Sequence, residues 1–210
     1  MRYVTKKAIS IVLLIATILG ELAGLTIAFL TEEKPYLFFT NIGNAFYLIV
    51  AILVLIAQIS ALRKKKQISR WGFVLHYTGT VTEVLIFLIV CLYLVWFNGP
   101  MMLYSGSFPF LHVLCPILAI VNHYVFLGKS EYSFKDGGWG FLPPVLYACV
   151  IVPLCACKII EAPYPFLDFS KNQWWMTLLY AVGALVILWL ICYALIRYAK
   201  KTQNITEKNQ

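Results

Sequence analysis

The apolar positions of this chain fall into six long, nearly uninterrupted runs, at 8–30, 36–62, 71–97, 108–127, 140–160 and 174–198. Each is long enough to cross a bilayer as a helix, which takes roughly 20 residues. The pattern predicts an all-α integral membrane protein, a six-transmembrane-helix bundle forming a single domain over residues 1–210. The connections are too short to hold a soluble domain. The first run is too long for a signal peptide and lacks a small-residue cleavage site after it, so it is expected to remain as the first helix. Breaker residues mark the joints: Asn98-Gly99-Pro100, Phe108-Pro109, Lys135-Asp136-Gly137-Gly138 and Ala162-Pro163-Tyr164-Pro165. Trp139, Trp174 and Trp175 fall where an amphipathic ring favours the membrane surface. No internal repeat is visible, so nothing points to an inverted-repeat transporter.

Composition strengthens this reading. The chain is 61% hydrophobic and 12% charged, against roughly a quarter charged in a soluble domain. Of its 17 Lys and Arg residues, only Lys34, Lys158 and Lys171 fall on one side of the expected membrane. The rest gather at the amino terminus, in Arg63-Lys64-Lys65-Lys66 with Arg70, at Lys129 and Lys135, and in the tail from Arg197 to Lys208. That asymmetry places both termini in the cytoplasm. The net charge of +8 is then a topology signal and an attraction to anionic lipid headgroups at the second loop, not a nucleic-acid footprint. All six cysteines lie inside apolar runs, where they behave as small hydrophobes. Cys155 and Cys157 form C-x-C without a matching ligand pair, so neither a disulfide nor a metal is expected. The sequon Asn204-Ile205-Thr206 falls in the cytoplasmic tail.

Polar groups inside hydrocarbon are costly, and they are where chemistry is sought. Thr40 in YLFFTNIGN and His112 in FPFLHVLCP each lie four residues inside a run that opens on the outer face, about 6 Å deep at 1.5 Å per residue. Asn44 shares the Thr40 face at i+4, with Asn41 alongside. Taken alone, a membrane Thr bonds a carbonyl one turn back, and a lone His bridges two helices. At matched depth beside two amides, Thr40 and His112 together suggest a nucleophile and its base. Cys115 is a reserve nucleophile three residues after His112. Glu21, roughly 13 Å below the outer edge of helix one, is a candidate orienting acid or proton acceptor. Glu83, one turn from Thr80, reads either as a polar tie or as a member of a proton relay. His76 and His123 stand at matched depth near the other face, the arrangement a bis-histidine haem needs, although snorkelling explains them adequately. No cofactor is expected. Neither a G-x-S-x-G elbow, a phosphate-binding loop nor H-E-x-x-H is present.

In order along the chain come FFTNIGN, LHVLCP, FLPPVLYACVIVP and PYPFLD. This succession resembles the bacterial branch of the androgen-induced-protein family, whose mammalian members are intramembrane threonine hydrolases of fatty acid esters of hydroxy fatty acids. The resemblance spans nearly the whole chain, and PYPFLD is its most distinctive piece. It implies a bacterial cell-membrane hydrolase of lipid esters, with Thr40 as nucleophile and His112 as base. Asn122 stands where that pattern places an acid, which removes any charge relay through this position. On this reading Asn41 and Asn44 are candidate oxyanion donors, and Lys158 is a candidate partner for a substrate carboxylate. Tyr164 and Asp168 order the outer loop. The lipid substrate enters laterally from the bilayer, because a site so shallow opens near headgroup level. The competing reading is a non-enzymatic lipid-binding or carrier protein, in which the same groups hold a headgroup.

Overall fold

Six spans of the expected type are what the chain builds. The computed structural model describes residues 2–64, 68–126 and 133–208; 86% of it is helix, with no strand among the described residues. The long helices are α1 (Arg2–Thr31), α2 (Phe39–Arg63), α3 (Arg70–Ile89), α4 (Cys115–Phe126), α5 (Leu142–Ala156) and α6 (Trp174–Lys208). α3 runs on through a π-helical stretch, Val90–Leu94, and a last turn, Val95–Asn98. α4 is entered through another π-helical stretch, Pro109–Leu114, and α5 through a 3-10 segment, Phe134–Phe141. With these extensions, six helices are long and apolar enough to cross a membrane, and the chain is a multi-pass integral membrane protein by length and composition.

The ends differ from expectation in instructive ways. α1 starts at Arg2 and α6 continues to Lys208, because polar residues prolong a helix as readily as apolar ones where nothing breaks it. The fifth span stops at Ala156, short of the expected residue 160. Lys158 takes a left-handed φ of 57° there, and the Ile159 N–H reaches the Leu154 carbonyl at 2.9 Å, closing the helix end. The expected end of the fourth span, Leu127, lies outside the described residues, as do Lys65, Lys66 and Lys129 of the basic loops.

α1, α2, α3 and α4 pack in a ring, each against the next, while α5 and α6 lie outside it against α3. Small residues set how closely the ring closes. A Cβ on Gly20 would lie 2.8 Å from Cys115 Sγ, and one on Gly43 2.7 Å from the Ile86 side chain. A Cβ on Gly24 would fall on Leu111, and one on Gly79 on the fully buried ring of Tyr47. Gly20 and Gly24 thus form a G-x-x-x-G contact between α1 and the fourth span. At the end of the bundle holding Arg70, that guanidinium pairs with buried Asp136 at 2.8 Å. Asp136 also accepts from the Ser133 N–H at 2.7 Å, so one carboxylate fastens α3 to the turn before α5. Near that end Gln58 donates to Ser10, and Ser10 to Asn122, tying α2, α1 and α4 together through polar side chains.

Gly79→Ala is expected to destabilise the bundle by roughly 1–3 kcal/mol through overpacking against Tyr47, seen as a lower Tm in detergent. Gly138→Ala, where a Cβ meets nothing within 4 Å, should leave Tm unchanged.

Candidate functional site

The opposite end, where α2 begins, holds Thr40. The chain enters α2 through Lys34 in the left-handed region, a 3-10 turn at Pro35–Leu37, and extended Phe38. Phe38 has no side-chain acceptor, so the first N–H groups of α2 need partners from elsewhere. Tyr164, in the connection between α5 and α6, supplies one: the Thr40 N–H donates to its hydroxyl at 3.3 Å. That ring is buried, stacked on Phe166 and edge-on to Phe38. Burial pushes the Tyr164 hydroxyl up to about 12, so it stays neutral at physiological pH. The Asn44 amide donates to the Thr40 carbonyl at 2.5 Å, and the Tyr147 hydroxyl to the Leu37 carbonyl at 2.7 Å. Thr40 is thereby held by side chains from α2 and from the far side of the sequence, and it is 5% exposed.

His112 belongs to the same end of the bundle, in the π-helical stretch before α4. The cause of that local geometry is in the sequence. Pro116 has no N–H to give the His112 carbonyl one turn back, and the Cys115 N–H reaches the Phe110 carbonyl five residues away instead. π turns of this kind recur at functional positions. The imidazole is 2% exposed and stacked on Phe108, with centroids 4.4 Å apart. Neither ring nitrogen has a hydrogen-bond partner. A buried imidazole without a hydrogen bond of ordinary geometry costs stability. The turn carrying it packs on α1, α2 and α3.

The other expected residues divide sharply. Asn41 is buried, but its amide donates to Glu32 at 2.8 Å and to the Pro35 carbonyl at 3.1 Å. Both N–H groups are used, so the expectation of an oxyanion donor at Asn41 is corrected: it is a tie between the end of α1 and the start of α2. Lys158 is exposed at the end of α5, where its backbone helps close that helix. Asp168 accepts from the Ser170 hydroxyl at 2.5 Å and pairs with Lys171 at 3.2 Å, which hold its carboxyl below the usual range. It anchors the loop and does not enter the site, whereas Tyr164, four residues earlier, does. Glu21 sits deeper, beside Cys115 and facing Glu83. Cys115 points its thiol towards the Thr17 carbonyl at 3.8 Å, away from the Thr40 turn. His76 and His123 stand 5.8 Å apart with planes inclined by 34°, and His76 also packs at 4.4 Å on Phe126.

Two participants escaped the sequence reading. Glu32 accepts from Asn41 and, through its other oxygen, from buried Ser107 at 2.6 Å. It joins the ends of α1 and α2 to the connection before His112. Thr31-Glu32-Glu33-Lys34 lies between the first two apolar runs, and no local spacing links Glu32 to Ser107. With the site described, comparison with known proteins adds no relative: no family model, no curated protein and no solved structure matches the chain.

Two outcomes follow. His112→Phe should leave Tm unchanged or raise it, since the ring stack survives while two unpaired buried nitrogens are removed; a fall in Tm would mark a structural histidine. Glu32→Ala should cost about 1.5–3 kcal/mol, the range for hydrogen bonds to a charged group, read by thermal unfolding in detergent.

Proposed function

We propose that the chain is an intramembrane hydrolase of lipid esters whose site lies at the end of the bundle where α2 begins. The observation that carries this is the unpaired, buried imidazole of His112, held in a π-helical turn at the same end as buried Thr40. A position that sacrifices stability to keep a base free is what acid–base chemistry requires. The succession FFTNIGN, LHVLCP and PYPFLD supports the same reading through its resemblance to intramembrane threonine hydrolases of fatty acid esters of hydroxy fatty acids.

In this proposal the Thr40 hydroxyl attacks the ester carbonyl as His112 takes its proton, and the imidazolium then protonates the departing alkoxide. Water attacks the acyl-threonine with His112 again as base, releasing the acid. With both ring nitrogens of His112 unpaired, the Thr40–His112 hydrogen bond forms only as substrate binds. Tyr164 takes over the role expected of Asn41. Its oxygen accepts from the Thr40 N–H, and in this reading its O–H turns to the developing oxyanion as substrate binds, together with the second Asn44 amide hydrogen. The bias of Lys and Arg supports an orientation with this end outward and both termini cytoplasmic, and the resemblance suggests a bacterial cell membrane. The substrate then arrives laterally from the outer leaflet, while the basic stretch around Arg63 and Arg70 meets anionic headgroups on the other side.

Purified protein treated with a fluorophosphonate should gain one adduct, measured by intact mass, that is absent from Thr40→Ala and His112→Ala. Hydrolysis of hydroxy-fatty-acid esters should fall at least about a hundredfold in His112→Ala, the usual contribution of a general base. No adduct on the wild type, with lipid co-purifying, would favour a lipid-binding protein instead. An adduct retained in Thr40→Ala would reject Thr40 as the nucleophile.

A further inference from the structure

The most polar place in the molecule is not the Thr40 end but the middle of the ring. Glu21 of α1 and Glu83 of α3 are both 0% exposed and close enough to feel each other's charge. Within ordinary hydrogen-bond length and angle none of their four carboxyl oxygens is paired, and neither is the hydroxyl of Tyr47, 0% exposed on α2, beside Thr80 and within charge range of the same two carboxyls. α4 contributes the Cys115 thiol beside Glu21. Among the described residues no Lys or Arg is buried to neutralise the pair. Two facing carboxylates without a counter-cation cannot both ionise in a low-dielectric interior, so together they hold at least one proton.

The cluster does not stand alone along the bundle axis. On α3, Thr80 and His76 follow Glu83 on one buried stripe, with His76 about 10 Å further along at 1.5 Å per residue. Across from it on α4 lies His123, 5.8 Å between ring centroids. His76 is 0% exposed and both its ring nitrogens lack partners. In the other direction His112 precedes Cys115 by less than one turn. Imidazole, carboxyl pair, phenol and imidazole therefore succeed one another from one end of the ring towards the other. Each is able to take up a proton on one side and release it on another. Between the carboxyls and His76 on this stripe stands the Thr80 hydroxyl, which donates to the His76 carbonyl at 2.9 Å.

We propose that the Glu21–Glu83–Tyr47 cluster is a proton-binding site at the centre of a relay that carries protons through the bundle between His112 and the His76–His123 pair. The relay requires no oxidant or co-reactant. A proton enters one imidazole, the carboxyl pair exchanges the proton it holds, and one proton leaves from the far imidazole. It stands independently of whether Thr40 is ever acylated.

The test uses full-length protein in liposomes of zwitterionic lipid loaded with a pH-sensitive dye, with a valinomycin-clamped potassium potential as driving force. Wild type should acidify the lumen several-fold faster than protein-free vesicles, and the Glu21→Gln, Glu83→Gln double variant should return to the protein-free rate. Cys149→Ser, altered at an exposed position of α5, should conduct as wild type does. Infrared spectra of the wild type should show a protonated-carboxyl stretch that shifts in D2O, a readout that does not depend on the variants folding. A wild-type rate equal to that of empty vesicles, flux retained in the double variant, flux that requires sodium, or absence of the carboxyl stretch would each overturn the proposal.

Discussion

The close approach of α1 to the fourth span at Gly20 and Gly24, matched by that of α2 to α3 at Gly43 and Gly79, is the contact on which the rest of this structure rests. In a bilayer, apolar side chains gain nothing by leaving lipid for protein, so association depends on intimate packing and on satisfied polar groups. Where four glycines let backbones meet, side chains such as Tyr47, Leu111 and Cys115 lie directly against a neighbouring helix. The ring then closes tightly enough to exclude lipid from its centre. Only within such an enclosure can two carboxyls and three imidazoles be fully or almost fully buried. α5 and α6 take no part in that closure, and α5 buries only Ile151 and Cys155.

The polar interior divides into two kinds of group. At the Arg70 end, Ser10, Gln58 and Asn122 bond to one another across three helices, and Arg70 bonds Asp136. At the Thr40 end, Glu32 binds Asn41 and Ser107. These are fasteners: each side chain makes at least one hydrogen bond to another helix or helix end, and the bonds fix helix ends in place. Between and beside them lie His112, Glu21, Glu83, Tyr47 and His76, whose buried side-chain polar atoms make no hydrogen bond of ordinary length and angle. Fasteners add stability, whereas the groups without ordinary hydrogen bonds lower it, which is why the proposed chemistry is placed on them.

How far the sequence revealed this differs from feature to feature for physical reasons. The six spans were legible because twenty apolar residues in succession admit few other structures, and their approximate ends followed from Gly, Pro and Asn. Burial of Thr40, His112, Glu21 and Glu83 was legible from their places inside those runs. The partners were not. Asn41 looked like a free amide because Glu32 lies outside any span, and Ser107 reaches that carboxylate only through the packing of the fourth span on α1. Tyr164 and Asp168 sit four residues apart in one motif, yet the ring turns inward to Thr40 while the carboxylate turns to Ser170 and Lys171. Which way each residue of an irregular connection points depends on the helices it joins. The π turn around His112 had a visible signal in Pro109 and Pro116, but proline predicts a disturbed helix without saying how the disturbance resolves.

That turn also bears on how such a protein can change over time. A π turn amounts to one residue inserted into an α-helix. Removing a single residue between His112 and Pro116 would restore an ordinary helix and rotate everything before the deletion, His112 included, by about 100°. His112 would swing off the interior face with no substitution at the histidine itself. The residues between His112 and Pro116 therefore form a unit whose length matters as much as its content. A descendant that lost one of them would keep its six spans and its glycine contacts while its imidazole faced elsewhere.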